Sequence, residues 1–308
     1  MRTPVAFLIF NRPDVTAKVF ECIRAARPPK LFVVADGARA GKAGEAASCQ
    51  AARAVIEKVD WECEVFREFS ESNLGCMRRV STGLDWVFSQ VEDAIVLEDD
   101  CIPDPTFFRY CQELLDRYRN DTRITCVSGD NFQFGRTRGP YSYYFSRYNH
   151  CWGWATWRRA WNQFDREMKE WPTIRDNGRL FDILGNRANV KYWTRIFDQV
   201  AANKIDSWAF RWTFAAWRES GLTALPNANL VSNIGYDGAG THTRKSDRYA
   251  SMATVPMEFP LRHPPFIIRD TGADAYTQST MFASMSIFKR VFLKAKSLLI
   301  PRSLKWGS

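Results

Sequence analysis

Residues 5–10 form an unbroken apolar run, Val-Ala-Phe-Leu-Ile-Phe, stopped by Asn11-Arg12-Pro13-Asp14. A strand with no polar face must be covered on both sides. Two further runs repeat the pattern at 31–35 and 94–97, and a weaker one stands at 63–66. Helical patterns separate them, from about 14 to 26 with Asp14 as candidate cap, about 46–58, and about 78–90 after Asn73-Leu74-Gly75. Strand and helix in turn predict a doubly wound, mostly parallel α/β sheet with right-handed crossovers.

Ligands of such sheets sit beyond the carboxyl ends of the strands. Three ends here are polar: Asn11 with Arg12, Asp36 before Gly37, and Glu98-Asp99-Asp100. No dinucleotide-type glycine fingerprint follows the first strand, and no GxxxxGK[ST] occurs anywhere. The fold suggests nucleotide handling without either common nucleotide motif.

The second half is built differently. Nine of the twelve tryptophans lie between Trp152 and Trp217. A helix is expected over 206–220, capped near Asp206, and the Gly- and Asn-rich stretch 227–243 reads as loop. The predicted organisation is a nucleotide-binding half at 1–130, an acceptor-binding and catalytic half at 131–250, an extension at 251–284 and a basic amphipathic helix at 285–308.

The net charge of +9 suggests nucleic acid until it is located. Residues 285–308 hold Lys289, Arg290, Lys294, Lys296, Arg302 and Lys305 and no acid, leaving 37 bases against 34 acids elsewhere. A body so balanced has no general attraction for polyanions, so no nucleic-acid partner is expected. Within that tail, positions 287, 288, 291, 292, 295, 298 and 299 are apolar at helical spacing. This predicts either a helix lying on an anionic membrane surface or one packed on its own domain. Eight cysteines spread singly, with no CxxC pair, read as reduced thiols. No signal-peptide core and no membrane-spanning run is visible, so a cytoplasmic protein is expected, peripheral on the inner face of the membrane if the tail binds there.

The strongest chemical signal is Glu98-Asp99-Asp100 after Ile95-Val96-Leu97. Adjacent carboxylates at the end of a buried strand repel one another and resist desolvation. A divalent cation relieves both, and hard oxygen ligands suit Mn²⁺ or Mg²⁺. Strand alternation predicts Glu98 and Asp100 on one face and Asp99 on the other. Arg78 or Arg79 is a candidate partner for a diphosphate. Most of the Trp152–Trp161 block reads as core, with Trp154 the candidate to face an acceptor sugar.

Together these pieces resemble the GT-A glycosyltransferases, N-acetylglucosaminyltransferase I and bacterial family-2-like enzymes among them. The resemblance is carried by Phe10-Asn11-Arg12-Pro13, Asp36-Gly37, Asn73-Leu74-Gly75, Leu97-Glu98-Asp99-Asp100 with Phe107-Phe108 beyond, and Trp152-Gly153-Trp154-Ala155-Thr156-Trp157, over roughly residues 5–245. It implies a Rossmann-like GT-A fold and a metal-dependent transfer from a nucleotide-sugar donor, UDP-linked in the first instance, to a hydroxyl of a glycan or glycolipid. It further implies that Asp100 binds the metal, that Glu98 and Asp99 hold the ribose or water ligands, and that Asn11, Arg12 and Asp36 line the base and ribose pocket. Asp206 in Lys204-Ile205-Asp206-Ser207-Trp208 is the candidate general base of an inverting transfer, with Asp165 and Glu167 behind it. His242 is a candidate late metal or diphosphate contact. The rival enzyme is a sugar-nucleotide nucleotidyltransferase, which would be expected to carry a glycine-rich basic loop after the first strand.

Overall fold

The computed structural model describes residues 1–235 and 249–282. Ten strands are described: β1 (Val5–Ile9), β2 (Lys30–Ala35), β3 (Glu64–Phe69), β4 (Asp93–Glu98), β5 (Cys101–Pro103), β6 (Ile124–Ser128), β7 (Tyr143–Ser146), β8 (Trp154–Trp157), β9 (Leu222–Pro226) and β10 (Val231–Asn233). The helices are α1 (Pro13–Ala26), α2 (Glu45–Ala54), α3 (Cys76–Gln90), α4 (Pro105–Arg117), α5 (Arg158–Trp161), α6 (Trp171–Asp176), α7 (Leu180–Leu184), α8 (Arg187–Ala201), α9 (Trp208–Arg218) and α10 (Thr271–Thr277).

Eight strands form one sheet in the order β3-β2-β1-β4-β8-β6-β9-β7. The first four run parallel, β8 is antiparallel to both β4 and β6, β9 is parallel to β6, and β7 is reversed. This is the expected mostly parallel α/β architecture, with helices on both faces. Side-chain alternation along β1 shows the double winding directly. Val5, Phe7 and Ile9 join a core with Phe20 and Ile23 of α1 and Leu114 of α4, whereas Ala6 and Leu8 join Leu84 of α3 and Trp212 of α9. Gly83 lets α3 lie directly on β2, since a Cβ there would stand 2.3 Å from Val34.

The tryptophan-rich half is mostly core. Trp171, Trp193, Phe197, Phe214 and Trp217 form a third cluster among α6, α8 and α9. Large aromatic areas make such a cluster strongly cohesive. The sheet itself continues past residue 130, because β8 threads between β4 and β6.

Three local expectations are corrected. Pro13 occupies the first turn of α1 and Asp14 follows it, so Arg12, not Asp14, is the capping position. The stretch after residue 227 is not all loop, since β10 pairs antiparallel with β5. The helix expected from Asp206 begins at Trp208, with the Ser207 hydroxyl accepting the Phe210 amide. All eight cysteines are free. No helix among the described residues is long and apolar enough to cross a membrane.

Candidate active site

β4 ends at Glu98, and the chain turns at Asp99 and Asp100 before returning as β5. Alternation therefore stops at Glu98, and the predicted opposition of Asp99 to Asp100 does not hold. Both reach the same guanidinium. Arg12 Nη2 donates to Asp99 Oδ1 and, at 2.9 Å, to Asp100 Oδ2, while the Phe10 amide donates to Asp99 Oδ2 at 3.3 Å. Burial alone would lower the Arg12 pKa, but Asp99 and Asp100 outweigh it and raise it further. Burial pushes the Asp99 carboxyl up to about 6, partly offset by Arg12. Glu98 is also raised, first by burial and then by Asp100 and Asp99. One guanidinium thus faces three crowded carboxylates, and further positive charge there is favourable.

The β5–β10 pair brings a late segment against this turn. Asn233 Nδ2 donates to Asp100 Oδ1 at 3.3 Å, and the Ile234 amide to the Asp100 carbonyl at 2.9 Å. Gly235 packs directly against Asp100, since a Cβ there would stand 2.1 Å from Asp100 Oδ2 and 3.0 Å from Arg12 Nη1, so no larger residue fits. Arg12 Nη1 is buried without a partner among the described residues. Among the described residues no group of three or more His, Cys, Asp or Glu side chains encloses a metal. The donor set instead suits an ion held by one or two carboxylates, Asp100 with Glu98, and completed by phosphate oxygens and water, as Mg²⁺ commonly is. His242 lies outside the described residues.

The facing wall is the start of α3. Gly75 precedes it at φ +80°, and its Cβ position would lie 3.3 Å from Asp206 Oδ2. Asp206 Oδ1 accepts the Met77 amide at 3.3 Å. The loop carrying Asp206 is held by buried Arg211, which donates to Ser207 O at 3.0 Å, Val200 O at 2.9 Å and Asn203 Oδ1 at 2.7 Å. The Cys76 thiol is pushed up to about 12, first by burial and then by Glu98, Asp206, Asp36 and Asp100. Four carboxylates from three separate segments therefore lie within electrostatic reach of one sulfur atom. Asp165, by contrast, is engaged by the Glu167 and Lys169 amides at 3.0 and 2.5 Å, as a local turn cap.

Other expected residues sit differently. Asp36 accepts from the Gly37 and Leu74 amides at 2.9 Å, the Gly75 amide at 3.2 Å and Asn73 Nδ2 at 2.9 Å. Its oxygens organise the 72–75 loop and are not free to line a base pocket. Arg79 is buried in an ion pair with Glu68 and donates to the Glu68 carbonyl at 2.8 Å, so it is withdrawn from any diphosphate. Arg78, in the same turn, is exposed. Trp154 is 0% exposed and packs against Trp208, Trp212 and Trp161, so it cannot stack on an acceptor sugar. Reading the sequence missed Cys76, Asn233 and Gly235. The only signal for the last two is a short Asn-Ile-Gly string whose partner, β5, lies 130 residues earlier.

No protein-family model matches the sequence, and no curated protein matches it. Solved structures similar to the chain include a mannosyltransferase, PcManGT from Pyrobaculum calidifontis, in complex with GDP-Man and Mn²⁺. It is 15% identical over 52% of this chain and 46% of its own, with a TM-score of 0.38. Two others are S. aureus TarS (10% identity, 75% and 59% coverage, TM-score 0.42) and an active-site mutant of LgtC (11%, 56% and 65%, 0.35). The chain spans less than two thirds of each. These overlaps are too small to establish a shared fold, and the architecture stands on strand order and register.

Proposed function

We propose that this chain is a metal-dependent glycosyltransferase of the GT-A kind, transferring a sugar from a nucleotide-sugar donor to a hydroxyl of a glycan or glycolipid acceptor with inversion. The observation that carries the reading is the acidic turn Glu98–Asp100 beyond the carboxyl end of β4, with Arg12 bridging Asp99 and Asp100, in a mostly parallel sheet whose ligands bind at such ends. Asp100 would hold Mn²⁺ or Mg²⁺, with Glu98 beside it and Arg12 clamping Asp99 and Asp100 in place. A bound cation would stabilise the negative charge of a departing nucleoside diphosphate. Arg78 would offer that diphosphate a second positive group.

Asp206 would accept the proton of the acceptor hydroxyl. Its carboxylate is exposed, lies on a loop anchored through Arg211, and meets the start of α3 at the Met77 amide. The basic apolar-faced segment 285–308, outside the described residues, would hold the enzyme at an anionic membrane surface on the cytoplasmic side, close to a glycolipid acceptor.

A screen of nucleotide sugars by thermal unfolding, with and without MnCl2, tests the reading. Ligand that binds only the folded chain stabilises it by mass action. At least one nucleotide sugar should raise Tm in a metal-dependent way, and no shift across the panel would refute the assignment.

A further inference from the structure

We propose that the exposed face of the α7–α8 hairpin, which carries Phe181, Arg187, Lys191 and Arg195, is a docking surface for an anionic phospholipid bilayer. This rests on the membrane location proposed above and adds a contact made by the folded body, apart from the segment 285–308.

α8 opens at Asn186, whose side chain accepts the Ala188 and Asn189 amides at 2.9 and 3.2 Å. Trp193, Ile196, Phe197 and Val200 turn its inner side to the aromatic cluster. The exposed positions of the helix are Arg187, Ala188, Lys191 and Arg195, so three are basic and none is acidic. The three bases recur every fourth residue, which sets them in one row along the helix. Arg179 just before them is paired with Asp182, whereas Arg187, Lys191 and Arg195 hold no ion pair among the described residues. Like charges at that spacing repel, so the row weakens the helix it stands on.

α7 adds an apolar group. Phe181 is 46% exposed, while Leu180 and Leu184 of the same short helix are buried. Gly185 ends α7 at φ +63°, its amide donating to the Phe181 carbonyl at 2.8 Å, and Asn186 starts α8 at once. The hairpin is fixed to the body through the Ile183 carbonyl, which accepts from Arg147 and, at 3.3 Å, from Arg269. Both arginines are paired with buried Asp274. The chain also leaves the described body at this helix. Phe282 packs with its ring centroid 6.3 and 4.9 Å from those of Tyr192 and Trp193, and the 26 residues beyond it contain six bases and no acid. An anionic bilayer matches both halves of the face, because its surface potential attracts the row and its headgroup boundary takes up the ring. A soluble polyanion matches the row and leaves Phe181 in water.

Titration of the full chain with phosphatidylcholine vesicles containing phosphatidylglycerol, read by cosedimentation, tests this. Each base near such a surface contributes about fivefold in affinity. Replacing Arg187, Lys191 and Arg195 together with glutamine should therefore weaken binding at least about tenfold at low salt, and the loss should shrink as salt rises. Phe181→Ser should weaken binding about equally at both salts, because apolar burial is not screened. All four side chains are exposed, so Tm should hold. Lys18, Lys42 and Lys58, exposed on α1 and at either end of α2 and outside the cluster that α8 joins, supply the control. Glutamine at those three positions removes the same charge and should change binding by less than about twofold, since charges beyond a Debye length are screened. An α8 triple variant that binds like the wild type, or a control that loses as much, would overturn the proposal and leave 285–308 as the membrane contact. Wild-type binding to heparin with no effect of Phe181→Ser on vesicles would overturn it in favour of a soluble polyanion. A wild type that ignores vesicles altogether removes the membrane location and this inference with it, while the nucleotide-sugar reading, tested by Tm, is untouched.

Discussion

Asp206 caps a helix to which it does not belong. Its carboxylate accepts the Met77 amide at 3.3 Å in the first turn of α3, while its neighbour Ser207 caps α9. The side chain thus sits at the amino-terminal, positive end of α3. The residue has a structural task and a proposed chemical one, and they can be separated.

Asparagine caps a helix about as well as aspartate but is no base. Asp206→Asn should therefore leave Tm and donor affinity near wild type while transfer falls by about 10²–10⁴-fold, the usual contribution of a positioned base. Asp206→Ala should additionally lose about 1 kcal/mol of stability with the cap. Turnover of the Asn variant within a few-fold of wild type, in a coupled nucleotide-release assay, would move the base elsewhere.

Removing Asp100 should cost metal-dependent binding. In Asp100→Ala, Arg12 retains Asp99 as partner, so the turn keeps an ion pair and the fold should persist. Calorimetry should show nucleotide affinity that no longer responds to Mn²⁺. An unchanged metal response would exclude Asp100 as a ligand.

Arg12 supplies the positive charge of the acidic turn. Arg12→Met leaves Asp99 and Asp100 buried without it, and breaking a buried pair from one side costs about 3–5 kcal/mol. Urea unfolding should show that loss, and added Mn²⁺ should restore more of it than it adds to the wild type. Equal Mn²⁺ effects in both proteins would mean that the ion does not bind at this turn.

His150 gives a pH signature of its own. Its ring is buried beside Phe132, with Nε2 unpartnered, and burial pushes its pKa down to about 3. The folded pKa is below the unfolded one, so the unfolded chain binds the extra proton between about pH 6.5 and 3. Stability from neutral His150 is present above pH 6.5 and is lost as pH falls, by up to about 1.4 kcal/mol per pH unit. His150→Phe should flatten that part of the profile in denaturation measured at pH 7, 6 and 5. Parallel profiles for the two proteins would show that the ring is charged or solvated in the fold.

The tail rests on sequence alone, since 285–308 lies outside the described residues. Replacing Phe288 and Phe292 with serine should weaken cosedimentation with anionic liposomes, and so should raised salt, because the attraction fades beyond a Debye length of about 8 Å at physiological ionic strength. Wild-type protein that stays in the supernatant at low salt would refute the membrane reading.

The parallel part of the sheet was legible because buried strands announce themselves as apolar runs, as 5–10 and 94–97 do, and the helices between them carry their own punctuation. The aromatic half was legible as core only in bulk. Trp154 and its neighbours look alike in a string, and only packing shows that Trp154 is enclosed by three other tryptophans. Among the expected site residues, chemistry was visible but engagement was not. Asp36 and Arg79 have the right side chains at promising places, yet the 72–75 loop and Glu68 take them up. Such partners come from segments 30 or more residues away, or from an adjacent strand, and nothing in local pattern specifies them.

Because β8 lies between β4 and β6, the chain cannot be treated as two exchangeable modules joined at residue 130. A chimera spliced there would ask a foreign strand to match the Asp93–Trp157 and Val127–Ala155 registers at once. A split protein would leave β4 with one bare edge and β6 with two, since both its neighbours, β8 and β9, lie beyond residue 130. The acidic turn after β4 and the segment bearing Asp206 are inherited together.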